Sequence, residues 1–108
     1  MPMPQPEGDS RMIAGADPAT AVLRLSVRNH PGVLSHVSGL FARRSFNVDG
    51  ILCLPIGDGT RSTILLLVRA DDRLEQLMRQ LAKLEDVLEI RVEPEGQRAF
   101  TAVAAWLA

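Results

Sequence analysis

Apolar residues in this chain recur every second position in some segments and at helical spacing in others, and the order of those segments restricts the fold. Leu23, Leu25 and Val27 alternate with Arg24, Ser26 and Arg28, which predicts a half-buried strand beginning at Val22. Asn29 to Gly32 interrupt it. Val33, Val37, Leu40 and Phe41, with Leu34 beside them, then recur at helical spacing opposite Ser35, His36, Ser38, Arg43 and Arg44. Pro31 suits the first helical turn, where its missing N–H is not needed, and Arg43 and Arg44 suit the negative end of the helix dipole.

From Phe46 to Ile56 the pattern is again that of a strand, but Ile51 and Cys53 fall out of phase with Phe46 and Val48. Asp49-Gly50 between them predicts a bulge. Gly57-Asp58-Gly59-Thr60 reads as a hairpin connection. Ser62 to Val68 is almost continuously apolar, which implies burial on both faces or a central position in the sheet. Asp71 and Asp72 can cap a second helix carrying Leu74, Leu77, Met78 and Leu81 on one face. Leu88, Ile90 and Val92 alternate with Glu89, Arg91 and Glu93 in a last strand that Pro94 and Gly96 end.

The predicted order is β-α-β-β-α-β, an α+β ferredoxin-like arrangement. Right-handed crossovers put both helices on one face of a four-stranded antiparallel sheet and leave the other face open. The second strand lies at an edge, and an exposed apolar edge calls for a partner. Residues 1–20 are rich in proline without periodicity and read as a flexible arm; residues 21–93 form the domain. Residues 94–108 form an apolar tail, helix or strand, which must pack on the domain or on another protein.

With 108 residues the chain is expected to form one domain. Its net charge of -1 offers no general attraction to nucleic acid or to a membrane surface. One cysteine, Cys53, rules out an intrachain disulfide and a Cys-x-x-Cys site. His30 and His36 lack a third ligand, so no metal site is expected, and no serine or cysteine is matched with a histidine and an acid for catalysis. The carboxylates of Glu85 and Asp86 look like those of a solvated loop. Neither a basic segment leading into an apolar core nor a membrane-length apolar run is present, so a cytoplasmic location is the expectation.

The turn after the first strand carries the chemistry. Gly32 allows close approach to a ligand, and the amides of Gly32, Val33 and Leu34 lie in a first helical turn, where the dipole favours a carboxylate. Asn29 can either close the turn or meet both ends of an amino acid. Composition leaves both open.

Arg28-Asn29-His30-Pro31-Gly32-Val33-Leu34, Gly39-Leu40-Phe41-Ala42-Arg43-Arg44 and Phe46-Asn47-Val48-Asp49-Gly50-Ile51 resemble an ACT domain. More narrowly they resemble the small regulatory subunit of acetolactate synthase (acetohydroxyacid synthase), most nearly its short, single-domain isozyme I form. The likeness continues through Leu74-Glu75-Gln76-Leu77 and Lys83-Leu84-Glu85-Asp86-Val87 and covers residues 21–93. The resemblance implies a non-catalytic subunit that activates a catalytic large subunit, forms a homodimer by edge pairing of ACT domains, and binds a branched-chain amino acid such as valine between them. It implies no cofactor here, and thiamine diphosphate, Mg and FAD in the large subunit. By position, Asn29, His30, Pro31, Gly32, Val33 and Leu34 correspond to the turn that holds the effector's polar groups. Asn47, Val48 and Ile51, with Cys53 and Leu54 near the side-chain pocket, correspond to the strand that the partner copy contributes. Many relatives have glycine where this chain has Ser45. A free-standing amino-acid-binding ACT dimer that regulates another partner is the alternative.

Overall fold

The computed structural model describes residues 20–108. The arm expected over residues 1–20 therefore lies outside the described residues except for Thr20, which opens the first strand. The elements run β1 (Thr20–Arg28), α1 (Val33–Arg43), β2 (Val48–Ile56), β3 (Arg61–Arg69), α2 (Leu74–Ala82), β4 (Val87–Val92) and α3 (Gln97–Leu107). All strand pairings are antiparallel and the spatial order is β2-β3-β1-β4. The expected βαββαβ fold is present, with β3 interior, one of the two readings its apolar run allows, and β2 at an edge.

Both helices of the repeat pack on one face. Leu23, Leu25 and Val27 of β1 and Ile64, Leu66 and Val68 of β3 meet Val37, Leu40 and Phe41 of α1 and Leu77 and Leu81 of α2 in one buried cluster. The bulge predicted at Asp49-Gly50 is there, as a register shift between Val48 and Gly50. It explains the change of phase: Val48 pairs with Val68 and Cys53 with Ile64, so the extra residue returns Cys53 to the helix-covered face.

Three local expectations are corrected. Pro31 precedes α1 instead of lying in its first turn, because His30-Pro31-Gly32-Val33 form a type II turn: the Val33 amide bonds the His30 carbonyl at 3.3 Å and Gly32 sits at φ 90°, ψ -10°. A helix cannot begin until that positive φ is passed. Neither Asp71 nor Asp72 is the N-cap of α2; that position is Arg73, and Asp71 Oδ1 instead accepts the Arg73 amide at 2.9 Å. In β4 the alternation fails at Leu88. Ser26 pairs with Glu89 and Val27 with Val87, so Leu88 is the unpaired residue of a bulge; Val87 packs on the core and Leu88 stays exposed.

The exit of α1 is a Schellman motif. Ser45 N–H bonds the Ala42 carbonyl, Phe46 N–H bonds the Phe41 carbonyl, and the rings of Phe41 and Phe46 meet edge to face at 6.0 Å. Ser45 therefore stands at φ 53°, in the left-handed region that glycine occupies without strain.

The sheet's second face is covered in part, not open. The tail forms α3 and seats Phe100 against Val22 and Leu67, with Leu52 and Leu65 alongside. Two glycines make room for it. A Cβ on Gly50 would come within 2.8 Å of the Phe100 ring, and one on Gly96 within 2.5 Å of Val22.

Candidate functional site

The turn between β1 and α1 is anchored from two sides. Asn29 donates its backbone N–H to the Thr60 carbonyl at 3.0 Å and its side-chain Nδ2 to the Gly59 carbonyl at 2.8 Å, which ties it to the β2–β3 hairpin. Arg28 N–H bonds the Asp86 carbonyl at 2.9 Å, and its guanidinium donates to the Glu85 carbonyl at 2.8 Å. The turn is thus held by two loops that are distant in sequence, which limits how far it can shift when a ligand arrives.

His30 crosses the same gap by its side chain. Its Nδ1 lies 2.8 Å from the Pro31 carbonyl and its Nε2 2.6 Å from Asp86 Oδ1. Both partners are acceptors, and only the imidazolium has two N–H donors to give them. The Pro31 carbonyl first, and the Asp86 carboxylate second, therefore raise the His30 pKa above its ordinary value of 6.5. When protonated, the ring puts a positive charge beside the turn. His36 Nδ1 is a more distant neighbour of Asp86, at 3.9 Å from Oδ2.

Of the three amides expected to face a ligand, Val33's is committed to the turn. Those of Gly32 and Leu34 take no acceptor among the described residues. The His36 N–H bonds the Gly32 carbonyl, the first bond of the helix. The Val33 side chain is buried in the core, whereas Gly32 and Leu34 are exposed. What remains is a pair of backbone amides at a helix N-terminus beside His30, an arrangement able to accept an anion.

The other group of predicted residues lies on the edge strand and the loop before it. Asn47 is exposed and donates its Nδ2 to Asp49 Oδ1 at 3.1 Å. Val48 and Cys53 are half-buried against the helix-covered core, and Ile51 and Leu54 are exposed. Asn29 and His30 line one surface depression, and Ile51, Cys53 and Leu54 line a different one. A single copy therefore does not join the turn and the strand in one cavity. Their chemistry is divided: polar donors at the turn, branched apolar side chains at the edge.

Four residues beside the turn are not singled out by the sequence as part of it. Arg28, Thr60, Arg61 and Leu88 line the depression that Asn29 and His30 share. Arg28 and Arg61 are register partners across β1 and β3. Only the strand register brings these two arginines together, and only the β4 bulge turns Leu88 toward them. Asp86 is no solvated loop carboxylate; its pairing with His30 depends on how α2 is joined to β4. Among the described residues no group of three His, Cys, Asp or Glu side chains is placed to hold a metal ion, and no helix is long and apolar enough to cross a membrane.

Residues 23–89 match the model of the AHAS small subunit-like ACT domain. Over 85 residues the chain is 54% identical to the acetolactate synthase isozyme 1 small subunit of Escherichia coli K12, covering 79% of this chain and 88% of that protein. The probable acetolactate synthase small subunit of Methanothermobacter thermautotrophicus is 40% identical over 80 residues, 72% of this chain and 48% of that longer protein. Among solved structures, the acetolactate synthase small subunit of Thermotoga maritima superposes with a TM-score of 0.63 at 31% identity, over 72% of this chain and 50% of that one.

Proposed function

From the premise that this chain belongs to the family of AHAS small subunit-like ACT domains, we propose that it activates the catalytic large subunit of acetolactate synthase and senses a branched-chain amino acid, valine foremost. The chain is a regulatory-type ACT subunit; the catalytic centre, with thiamine diphosphate, a divalent metal and FAD, belongs to the large subunit. The reaction so controlled condenses two pyruvates, or pyruvate with 2-oxobutyrate.

The observation that carries effector binding is the turn itself. Gly32 and Leu34 offer uncommitted amides at the start of α1 beside His30, whose raised pKa favours the imidazolium, and this suits an α-carboxylate. Asn29 Oδ1 suits the ammonium, since its Nδ2 is already donated to Gly59. The apolar side of the ligand is supplied by Ile51 and Cys53 from the β2 edge of a second copy, with Asn47 and Val48 at the start of that strand; Leu54 faces the other side of the sheet. One methylene more or less is worth about 1–3 kcal/mol in such a pocket, so leucine and isoleucine compete with valine at a modest disadvantage. Effector binding controls the partner only if its affinity differs between two states of the complex.

The test is the rate of acetolactate formation by the cognate large subunit as this chain is titrated in, with and without valine. A saturating rise that valine reverses is expected. A rise without valine sensitivity would keep the partner and remove the effector; no change at any ratio would remove the partner.

A further inference from the structure

The third helix crosses the strands along a single row. Val22 of β1, Leu67 of β3 and Gly50 of β2 are register partners side by side across the sheet. Gly96 rests on Val22, and Phe100 lies on Gly50 and Leu67. Val103 then flanks a groove with Leu52 and Leu54 of β2. The helix therefore runs from β1 over β3 to β2, toward the open edge of the sheet.

The spacing shows where it ends. At a rise of about 1.5 Å per residue, Trp106 lies about 15 Å along the helix from Gly96. Strands are about 4.8 Å apart, so β1 to β2 spans about 10 Å and a strand added at the β2 edge would lie about 15 Å from β1. Trp106 thus stands over the position of a fifth strand, which none of the described residues fills. It is 84% exposed and Leu107 71%, high values for large apolar side chains on a helix that is otherwise docked.

We infer that α3 is a clasp between two copies of the chain, in which Trp106 of each covers Leu54 of the other. This rests on the edge-paired dimer proposed above. A twofold antiparallel pairing of β2 about its midpoint, Leu52, sets Leu54 of the second copy opposite Gly50, the level at which α3 crosses. Leu54 is 64% exposed and points to the face that α3 occupies, being paired with Thr63 in the row next to Leu65 and Leu52. Among the groove residues only Arg24 is charged, and it has an ion-pair partner in Glu93 at 3.5 Å, so closing the contact strands no charge. A stable twofold interface takes about 800 Å² from each copy, more than a bare nine-residue strand edge provides. The projecting end of α3 supplies further apolar surface on the side away from α1 and α2.

Trp106 is the only tryptophan and the chain has no tyrosine, so its fluorescence reports this one position. The experiment follows the emission of the full chain over a dilution series while sedimentation measures its oligomeric state. The expected result is blue-shifted emission in the dimer that moves to the red in step with dissociation. Trp106→Ala should weaken dimerisation about tenfold or more. A dimer whose indole emits as if in water would overturn the clasp and leave edge pairing intact. A shift seen only when the large subunit is added would also overturn it, assigning the helix end to that partner. A chain that stays monomeric at every concentration would remove the dimer, and the clasp with it.

Discussion

Changing Gly32 to Asp and, separately, to Asn tests the effector turn with two side chains of nearly the same shape. The structure separates the cost to the fold from the effect on the ligand. Gly32 sits at φ 90°, where an L-residue costs about 1–2 kcal/mol, and Asn and Asp are the side chains that visit this region most readily. A Cβ there would meet nothing within 4 Å, so no packing term is added. The two variants should therefore be destabilised alike, by an amount a domain with about 5–15 kcal/mol of stability survives. Only Asp adds a charge. A carboxylate about 4 Å from a bound carboxylate is repelled by about 1 kcal/mol in water and about 4 kcal/mol near a protein surface, so affinity should fall between about fivefold and a thousandfold. Denaturant melts would confirm matched stability, and valine titration by calorimetry, together with acetolactate formation, would read the response. The Gly32→Asn variant should keep most of it and the Gly32→Asp variant should lose it. Equal valine response from two variants of equal stability would remove Gly32 from the effector site.

Ser45→Gly should relieve the left-handed strain at the end of α1 and stabilise the domain by about 1 kcal/mol, raising Tm by several degrees in a thermal melt. The His30 pKa is raised on folding, so the contact's contribution to stability is fully present below the ordinary value of 6.5 and is lost as pH rises through the folded value. Asp86→Asn should lower that pKa, measured by NMR titration of the ring, and should weaken valine binding most at the pH where the wild-type ring is charged and the variant's is not; an unchanged titration would dissolve the pairing. Phe100→Ala should undock α3 without unfolding the sheet, because Phe100 belongs to the small cluster on the second face and not to the main core. Hydrogen exchange should then quicken over residues 97–107 and leave β3 protected; loss of protection in β3 would show that the two faces are one cooperative unit.

The strands, helices and their order were legible in the chain because apolar periodicity is a local property. Each segment declares its own buried face, and a dipeptide such as Asp49-Gly50 marks a bulge where the phase slips. The turn at Asn29 to Leu34 could likewise be located, since Pro31 and Gly32 bias the backbone whatever surrounds them. Ser45 could be singled out from the resemblance, but its left-handed φ is visible only once Phe46 is seen folding back on Phe41.

What the chain could not declare depends on contacts between distant residues. His30 and Asp86 are far apart in sequence and meet because β1 and β4 are neighbours; that contact adds to the Pro31 carbonyl in favouring the charged ring beside the turn. Leu88 obeys the alternation of its strand yet faces outward, because the Arg28–Asp86 backbone bond fixes where β4 enters and the pairing absorbs the offset as a bulge. Residues 97–107 have an apolar pattern that fits either helix or strand. Their place was decided by a row of side chains, Val22, Leu67 and Gly50, that exists only once three strands have taken their register. Periodicity acts over a few bonds of one segment, whereas register acts across the sheet. The first was sufficient for the fold, and the second determined the surroundings of the turn and the path of the last helix.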